Sequence, residues 1–399
     1  MYDVIILGGG FGGVAAARTL EHYQNKVRLT LIDRNNFHLF TPSLYEVATS
    51  EEPQKNIAIP YSHIFNKSVS ILTQEIAAID PQSQLIRLKN GSTKHYDYAV
   101  IALGSEPAYY NIPGLQQYSI PLKKLEDAVT IKNMISKYYC NKGRENDKVR
   151  IVVGGGGFSG TELTAELTSY RSRLAKEHTL SIDCMEIIII QGSDRLLKEL
   201  DHKASAVAEE RLLKGNVNII LGNHIKTVTK NYIETDKNNR YPYDIFIWTG
   251  GIQTNTTVRE SGLPITQKGQ LIVEDTLQVH GYPTVFAAGD NTSFIDKKTG
   301  ELAPNVAEIA ENQGKIAGEN IYRVLTHRPL LPYTVIHTGY VVPLRDHYGI
   351  AEIGSLHITG ILAWIIQQII LLRYLLSILP IHKAFNKWNK FETSLKKTM

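Results

Sequence analysis

The sequence predicts an α/β fold in which one strand–glycine turn–helix unit occurs twice and an apolar helical segment follows. Three observations predict it. Gly8-Gly9-Gly10-Phe11-Gly12-Gly13 follows the apolar run Val4–Leu7 and precedes the helical stretch Val14-Ala15-Ala16-Ala17. Gly154-Gly155-Gly156-Gly157-Phe158-Ser159-Gly160 follows Ile151-Val152-Val153 and precedes a second helical stretch, residues 161–169. Residues 358–379 are nearly all apolar and lead into a lysine-rich tail.

The first unit continues through a strand at residues 27–32 that ends in Asp33, so strand, turn, helix, strand and acid fit within about 30 residues, the Rossmann pattern. In the second unit, a strand over 186–190 ends at Gln191. Aligned on their glycines, Gly8, Gly10 and Gly13 match Gly155, Gly157 and Gly160, and Phe11 matches Phe158. One such turn is weak evidence, but two in register between strand and helix argue strongly for dinucleotide sites. The first glycine permits the tight turn, the second lets backbone approach a pyrophosphate, and the third lets helix pack on strand. The helix N-terminus offers unpaired N–H groups and partial positive charge to the phosphates. Farther along, residues 244–248 read as a strand ending in Thr249-Gly250-Gly251, and residues 284–288 as a small-residue strand end before Gly289-Asp290. A helix is expected over 306–324 and a short sheet over 332–353.

The 399 residues suffice for two domains with separate cores. With 43% hydrophobic and 21% charged residues, the composition is that of an ordinary globular protein. The formal charge of +4 resides in the tail, where Lys383, Lys387, Lys390, Lys396 and Lys397 face a single acid, Glu392. A basic tail on a neutral body predicts an anionic lipid surface as partner. Nucleic acid is not expected, because no binding module for it appears. Cys140 and Cys184 form no CxxC motif and no metal-ligand spacing, so no metal is expected. Met1-Tyr2-Asp3 runs directly into the first strand, with no signal peptide expected.

Together these residues resemble the two-dinucleotide-binding flavoproteins, and within them the type II NADH:quinone oxidoreductases. Asn36-Phe37-His38-Leu39-Phe40-Thr41-Pro42-Ser43-Leu44-Tyr45-Glu46-Val47-Ala48-Thr49 resembles that family's N-Y-H-L-F-x-P-L-L-Y-x-V-A-T segment beside the flavin. Residues 155–167, GGGFSGTELTAEL, resemble its GGGPTGVELAGEL, and Trp248-Thr249-Gly250-Gly251 its W-[TA]-A-G stretch. Ala102-Leu103-Gly104-Ser105 resembles the ATG stretch where the chain returns to FAD, and Ala288-Gly289-Asp290 the closing FAD motif. The resemblance implies FAD at Gly8, Gly10, Phe11, Gly12, Gly13, Asp33, Arg34, Thr41, Pro42, Ala102, Gly104, Asp290 and Ala307. It implies NADH at Gly155, Gly157, Phe158, Gly160, Gln191 and Gly250. Glu162 falls where the family places a glutamate near flavin and nicotinamide; the plainer reading is an acid complementing the dipole of the first helical turn.

Two departures matter. The family's A-Q-x-A-x-Q, whose glutamines face the quinone, is here Ala307-Glu308-Ile309-Ala310-Glu311-Asn312. Glu308 and Asn312 still share a helix face, although Asn305 and Glu308 also fit a capping box. An ionised carboxylate cannot donate to a quinone carbonyl, so quinone reduction through Glu308 requires the protonated acid. Gln191 replaces the acid that would repel a 2′-phosphate, which leaves NADPH open beside NADH.

The resemblance thus implies an FAD-dependent, non-pumping enzyme passing hydride from NADH to FAD and electrons to a membrane quinone. It would sit peripherally on the cytoplasmic face of the cell membrane. The expected division is 1–115 and 256–330 for the FAD domain, 116–255 for the NAD(P)H domain, and 331–399 for a C-terminal sheet and membrane-anchoring helices. Residues 358–379 are long enough to span a bilayer, although Gln367, Gln368 and Arg373 interrupt them; a buried helix at a homodimer interface is the alternative. Removal of residues 358–399 is expected to free the protein from membranes with FAD retained. The rivals are a reductase of another acceptor, a sulfide:quinone reductase-like enzyme, and a redox-inert nucleotide-binding membrane protein.

Overall fold

The computed structural model describes residues 1–50, 52–144 and 147–396. Its two main sheets repeat one plan. In the first, the order is Gln278–Val279, Tyr282–Ala287, Tyr98–Ile101, Tyr2–Leu7, Val27–Asp33, Val69–Thr73. Every pairing is parallel except that between the first two strands. Val4, Ile6 and Leu7 are fully buried, as a central parallel strand covered on both faces requires. In the second, the order is Ile120–Pro121, Ile245–Trp248, Val149–Gly154, Met185–Ile190, Val217–Ile220, all parallel.

The duplication extends beyond the glycine turns. Each central strand lies between the strand that leads to Asp33 or Gln191 and a returning strand, Tyr98–Ile101 or Ile245–Trp248. Each returning strand follows a three-stranded antiparallel meander. The first comprises Ile76–Asp80, Leu85–Leu88 and Thr93–His95; the second comprises Ile225–Val228, Tyr232–Thr235 and Arg240–Pro242. The periodicity of these short strands is too brief to stand out in the sequence.

The chain crosses between the units twice, and the two crossings pair as an antiparallel ribbon, Ser105–Pro107 against Ile252–Thr254. The Glu106 carboxylate accepts from Gln253, Thr256 and Arg259 and fastens that ribbon.

The helix after the second turn runs Phe158–His178, well past the expected residue 169. The C-terminal sheet lies later than expected, as Tyr340–Pro343, Gly349–Ile353 and Leu356–Gly360. Ile358 therefore belongs to a strand, and the apolar helix begins at Ile361 and ends at Ile378. Gly360, at φ 81°, makes the corner between them. A second helix, Ile381–Lys396, closes the described chain.

Candidate active site at two matched glycine turns

The two turns are almost superimposable in their backbone. Gly10 and Gly157 precede their helices at φ −75°, ψ −166° and φ −75°, ψ −165°, and neither helix carries a side-chain cap. A Cβ on either glycine would meet no atom within 4 Å, so open space lies before both helix N-termini. The third glycines behave oppositely. A Cβ on Gly13 would lie 1.8 Å from the Gly8 carbonyl oxygen, and one on Gly160 would lie 1.9 Å from that of Gly155. Open approach at the second glycine and close packing at the third are what a bound pyrophosphate needs, so both turns fit a dinucleotide.

The residue closing each second strand braces its turn. Asp33 accepts from the Gly9 N–H at 2.6 Å and from the Asn35 N–H at 2.7 Å. Gln191 repeats the first of these bonds, accepting from Gly156 N–H at 2.9 Å, and its amide donates to Ser193 Oγ. An amide therefore preserves the architecture of an acid without its charge. Burial pushes the Asp33 carboxyl up, against the lowering effect of the Asn35 and Gly9 bonds. Arg34 is exposed.

The roofs of the turns differ. Over the first, buried Tyr61 donates to Gly9 O at 3.2 Å, and fully buried His38 places Nδ1 3.0 Å from the same oxygen. Burial lowers the His38 imidazole to about 4, so the ring is neutral. Phe11 packs edge-on to His38 at 5.0 Å and against Tyr374 at 4.8 Å. The helix Ala307–Leu325 closes against Phe11–Glu21, with Gly314 pressed on the Gly12 carbonyl and Gly318 on that of Ala16. Over the second turn lies the loop 192–200, where Leu196 faces Gly156 and Leu197 N–H bonds its carbonyl at 2.8 Å. Phe158 stacks on Tyr340 at 5.0 Å.

At the rim of the first turn, Ala102 backs Gly8, as Gly250 backs Gly155 in the second unit. Asp290 accepts from Ser105 Oγ and lies 3.5 Å from Lys123 Nζ. Gly104 N–H donates to the neighbouring Asn291 at 2.8 Å. Gly289, Asp290, Pro304, Asn305, Ala310 and Gln313 line one small cleft, at the start of the helix that Ala307 opens. Thr41 and Pro42 lie in a single 3-10 turn.

Several expectations need correction. Glu162 lies in the second turn of its helix, because that helix begins at Phe158, so first-turn dipole complementarity does not explain it. Burial raises its carboxyl well above the usual range. The capping box is not formed: Val306 is the N-cap, no side chain caps it, and Glu308 is the second helical residue. The Glu308 carboxylate instead accepts from Thr338 Oγ1 at 3.1 Å and from Thr338 N–H at 3.4 Å. Asn312, one turn along, is partly buried.

The C-terminal helix also differs from its expectation. Its polar interruptions reflect its docking. Arg373 bonds buried Glu311 at 3.0 Å, Gln368 is buried, and Tyr374 Oη lies 2.7 Å from His38 Nε2. Ala363, Leu371, Leu375 and Ile378 pack inward on the same face. Ile361, Leu362, Ile365, Ile369, Ile370 and Leu376 form the exposed face. Removing residues 358–399 would thus also take Leu371, Leu375 and Ile378 out of the core and Tyr374 out of the Tyr374–His38–Gly9 chain. Nor is the basic tail wholly free. Lys387 Nζ donates to Lys55 O at 2.7 Å, and burial brings its ammonium down to about 8. Lys397 lies outside the described residues.

Tyr61, Lys123, His337 and Thr338 join the site without having been singled out from sequence. Lys123 alone left a trace, as a cation just before the helix Leu125–Arg144. Cys140 is partly buried on that helix and Cys184 is buried beside the strand Met185–Ile190; neither has a place among the turn residues.

Comparison with known proteins agrees with this geometry. A type II NADH:quinone oxidoreductase of Haemophilus influenzae is 28% identical over 391 residues, covering 89% of this chain and 87% of its own. The demethylphylloquinone reductase of Synechocystis is 29% identical over 381 residues, covering 92% and 91%. The structure of NDH2 from Plasmodium falciparum in complex with NADH shares the fold at TM-score 0.88 and 18% identity, covering 100% and 98%. The family model for pyridine nucleotide-disulphide oxidoreductases matches residues 2–314, and the chain belongs to that family.

Proposed function

We propose that the protein is a non-pumping NADH:quinone oxidoreductase, with FAD held at the Gly8–Gly13 turn and NADH at the Gly155–Gly160 turn. The observation that carries this is the pair of matched turns, each open before an uncapped helix N-terminus. FAD, when bound, supplies the capacity to take a hydride and release two electrons. Gly10 and Phe11–Gly13 would hold its pyrophosphate, Asp33 its ribose, and Asp290 with Lys123 its ribityl chain. Gln191 and the loop behind it would hold the NADH ribose, and Gly250 lies at the mouth of that turn. Glu162, whose carboxyl is raised by desolvation, would adjoin the reacting rings. The relatives named for quinone reduction match across most of this chain and support the quinone as acceptor. A thiol-relay reductase fits poorly, because neither cysteine belongs to either turn.

The division at about residues 115, 255 and 330 belongs to this proposal, as does peripheral attachment at the cytoplasmic face. The helix Ile361–Ile378 would lie on the bilayer by its apolar outer face, since its inner face carries Gln368, Arg373 and Tyr374 against the body. Anionic headgroups would meet the tail lysines.

The test is direct. Purified protein should contain FAD, bleach with NADH under argon and regain colour with a short-chain quinone. A colourless protein, or one that NADH leaves yellow, would refute the reading. Ile365→Asp with Ile369→Asp should abolish sedimentation with phosphatidylglycerol vesicles while flavin content stays at the parent level.

A further inference from the structure

We propose that His337 and Glu308 form a proton relay supplying the solvent proton that quinone reduction consumes; this rests on the quinone reading above. A quinone becomes a quinol by gaining two electrons and two protons. The hydride from NADH accounts for both electrons and one proton, and NAD⁺ leaves. The second proton must come from water through the protein.

His337 Nδ1 lies 3.5 Å from Glu308 Oε2. Both its ring nitrogens are buried and lack a hydrogen-bond partner, which is unusual for a histidine. Glu308 is fixed from its other side by the hydroxyl and amide of Thr338, the next residue along. The His337 ring packs edge-on to Tyr340 at 4.5 Å, and Tyr340 stacks on Phe158 of the second turn. The pair therefore bridges the helix N-terminus beside Gly289–Asp290 and the aromatic lid of the second turn. On the proposed reading, it lies between the two cofactor sites.

The chemistry suits the place. An imidazole takes a proton at one nitrogen and releases one from the other. An ionised carboxylate cannot donate, but one reloaded by an imidazolium can. Glu308 would pass its proton to the quinone oxygen and His337 would reload it. Solvent reaches a fifth of the His337 side chain, at its carbon atoms, so a turn of the ring would bring a nitrogen to water. Among the described residues, Tyr333, which senses Glu308 and Asp296, and Tyr340, which senses Glu199 and Glu352, also lie near the pair. Any change in pH profile must therefore be assigned by substitution.

The experiment uses the FAD-loaded protein and follows each half-reaction by anaerobic stopped flow. In His337→Ala, reoxidation by a short-chain quinone should slow by about 100-fold. Added imidazole should restore it with saturation, and reduction by NADH should keep its parent rate. Independently, Glu308→Gln should flatten the pH dependence of that reoxidation. His337→Asn, with parental flavin content and melting temperature, guards against a folding defect. The relay is overturned if imidazole gives no rescue, if both half-reactions slow equally, or if the pH profile of reoxidation ignores Glu308→Gln. Failure of quinone to reoxidise even the parent would overturn the quinone reading itself, before any variant is examined.

Discussion

The two glycine turns share a backbone and differ in what covers them. The first is enclosed by Tyr61, His38, Phe11 and Tyr374, and by a helix seated on it through Gly314 and Gly318. The second is covered by one loop and one stacked tyrosine. On the proposed reading, the same backbone would hold its two cofactors for different times. One enclosed by buried aromatics would stay through many turnovers, and one under a loop would leave each time. The side chains over the turn, rather than the motif itself, would set the difference.

The sharpest way to break this comparison is to place the same methyl group in both turns. Gly13→Ala and Gly160→Ala each collide with a carbonyl, and such overpacking costs about 1–3 kcal/mol or more. Gly13→Ala should purify without flavin absorbance. Gly160→Ala should stay yellow yet resist reduction by NADH. Loss of flavin in both would show that the turns are not separable.

Glu162→Gln comes next. Stopped-flow reduction by NADH should slow about tenfold, short of the roughly 100-fold or more of a true acid–base group, with flavin retained. Stability should move as well. The folded carboxyl is raised, so the parent's stability is full below the unfolded value near 4.5 and is lost as pH rises toward the folded value. Glutamine removes that loss. The variant should melt above the parent at pH 7 and level with it at pH 4; an equal gap at both would disprove the burial argument.

A smaller effect is expected of Tyr374→Phe. It removes one hydrogen bond from the chain that ends at Gly9 O, about 0.5–1.5 kcal/mol. Flavin dissociation, followed by fluorescence on dilution, should speed severalfold while the Michaelis constant for NADH holds. An equal change in both would dissolve the distinction between the roofs.

The mildest substitution is Gln191→Glu. It restores a charge to a turn that already has the right hydrogen bond. The preference for NADH over NADPH should rise severalfold in steady-state assays, with little change in the NADH rate. An unchanged ratio would place donor selection elsewhere in the loop.

Much of this was legible in the sequence because it depends on neighbours in the chain. Gly8, Gly10 and Gly13 lie within one turn, and apolar strands announce themselves by their runs. Asp33 and Gln191 were legible because they close a fixed supersecondary unit. His38 could be seen as part of a family-like segment, but not as the bridge between Gly9 and Tyr374, 336 residues farther on. Tyr61 and His337 escaped because nothing local marks them; packing alone brings them to the site, and Lys123 left only the trace of a cation before a helix. The capping box failed for a related reason. Glu308 found a better partner in Thr338, thirty residues away, than in the start of its own helix. Arg373 looked like a flaw in an apolar helix until buried Glu311 appeared opposite it.

The ribbon formed by Ser105–Pro107 and Ile252–Thr254 has a consequence for how the chain is made. Everything between its strands is contiguous, and the sheet of the second unit draws only on residues 120–248. The first sheet needs Tyr98–Ile101 to meet Tyr282–Ala287, across the whole insertion. Closing so long a loop is slow, whereas nearer contacts form early. As the chain leaves the ribosome, the nested unit can complete its sheet while the outer one still lacks a strand. The half that is begun first is finished last, and until residue 287 has emerged and paired, its glycine turn has no complete sheet beneath it.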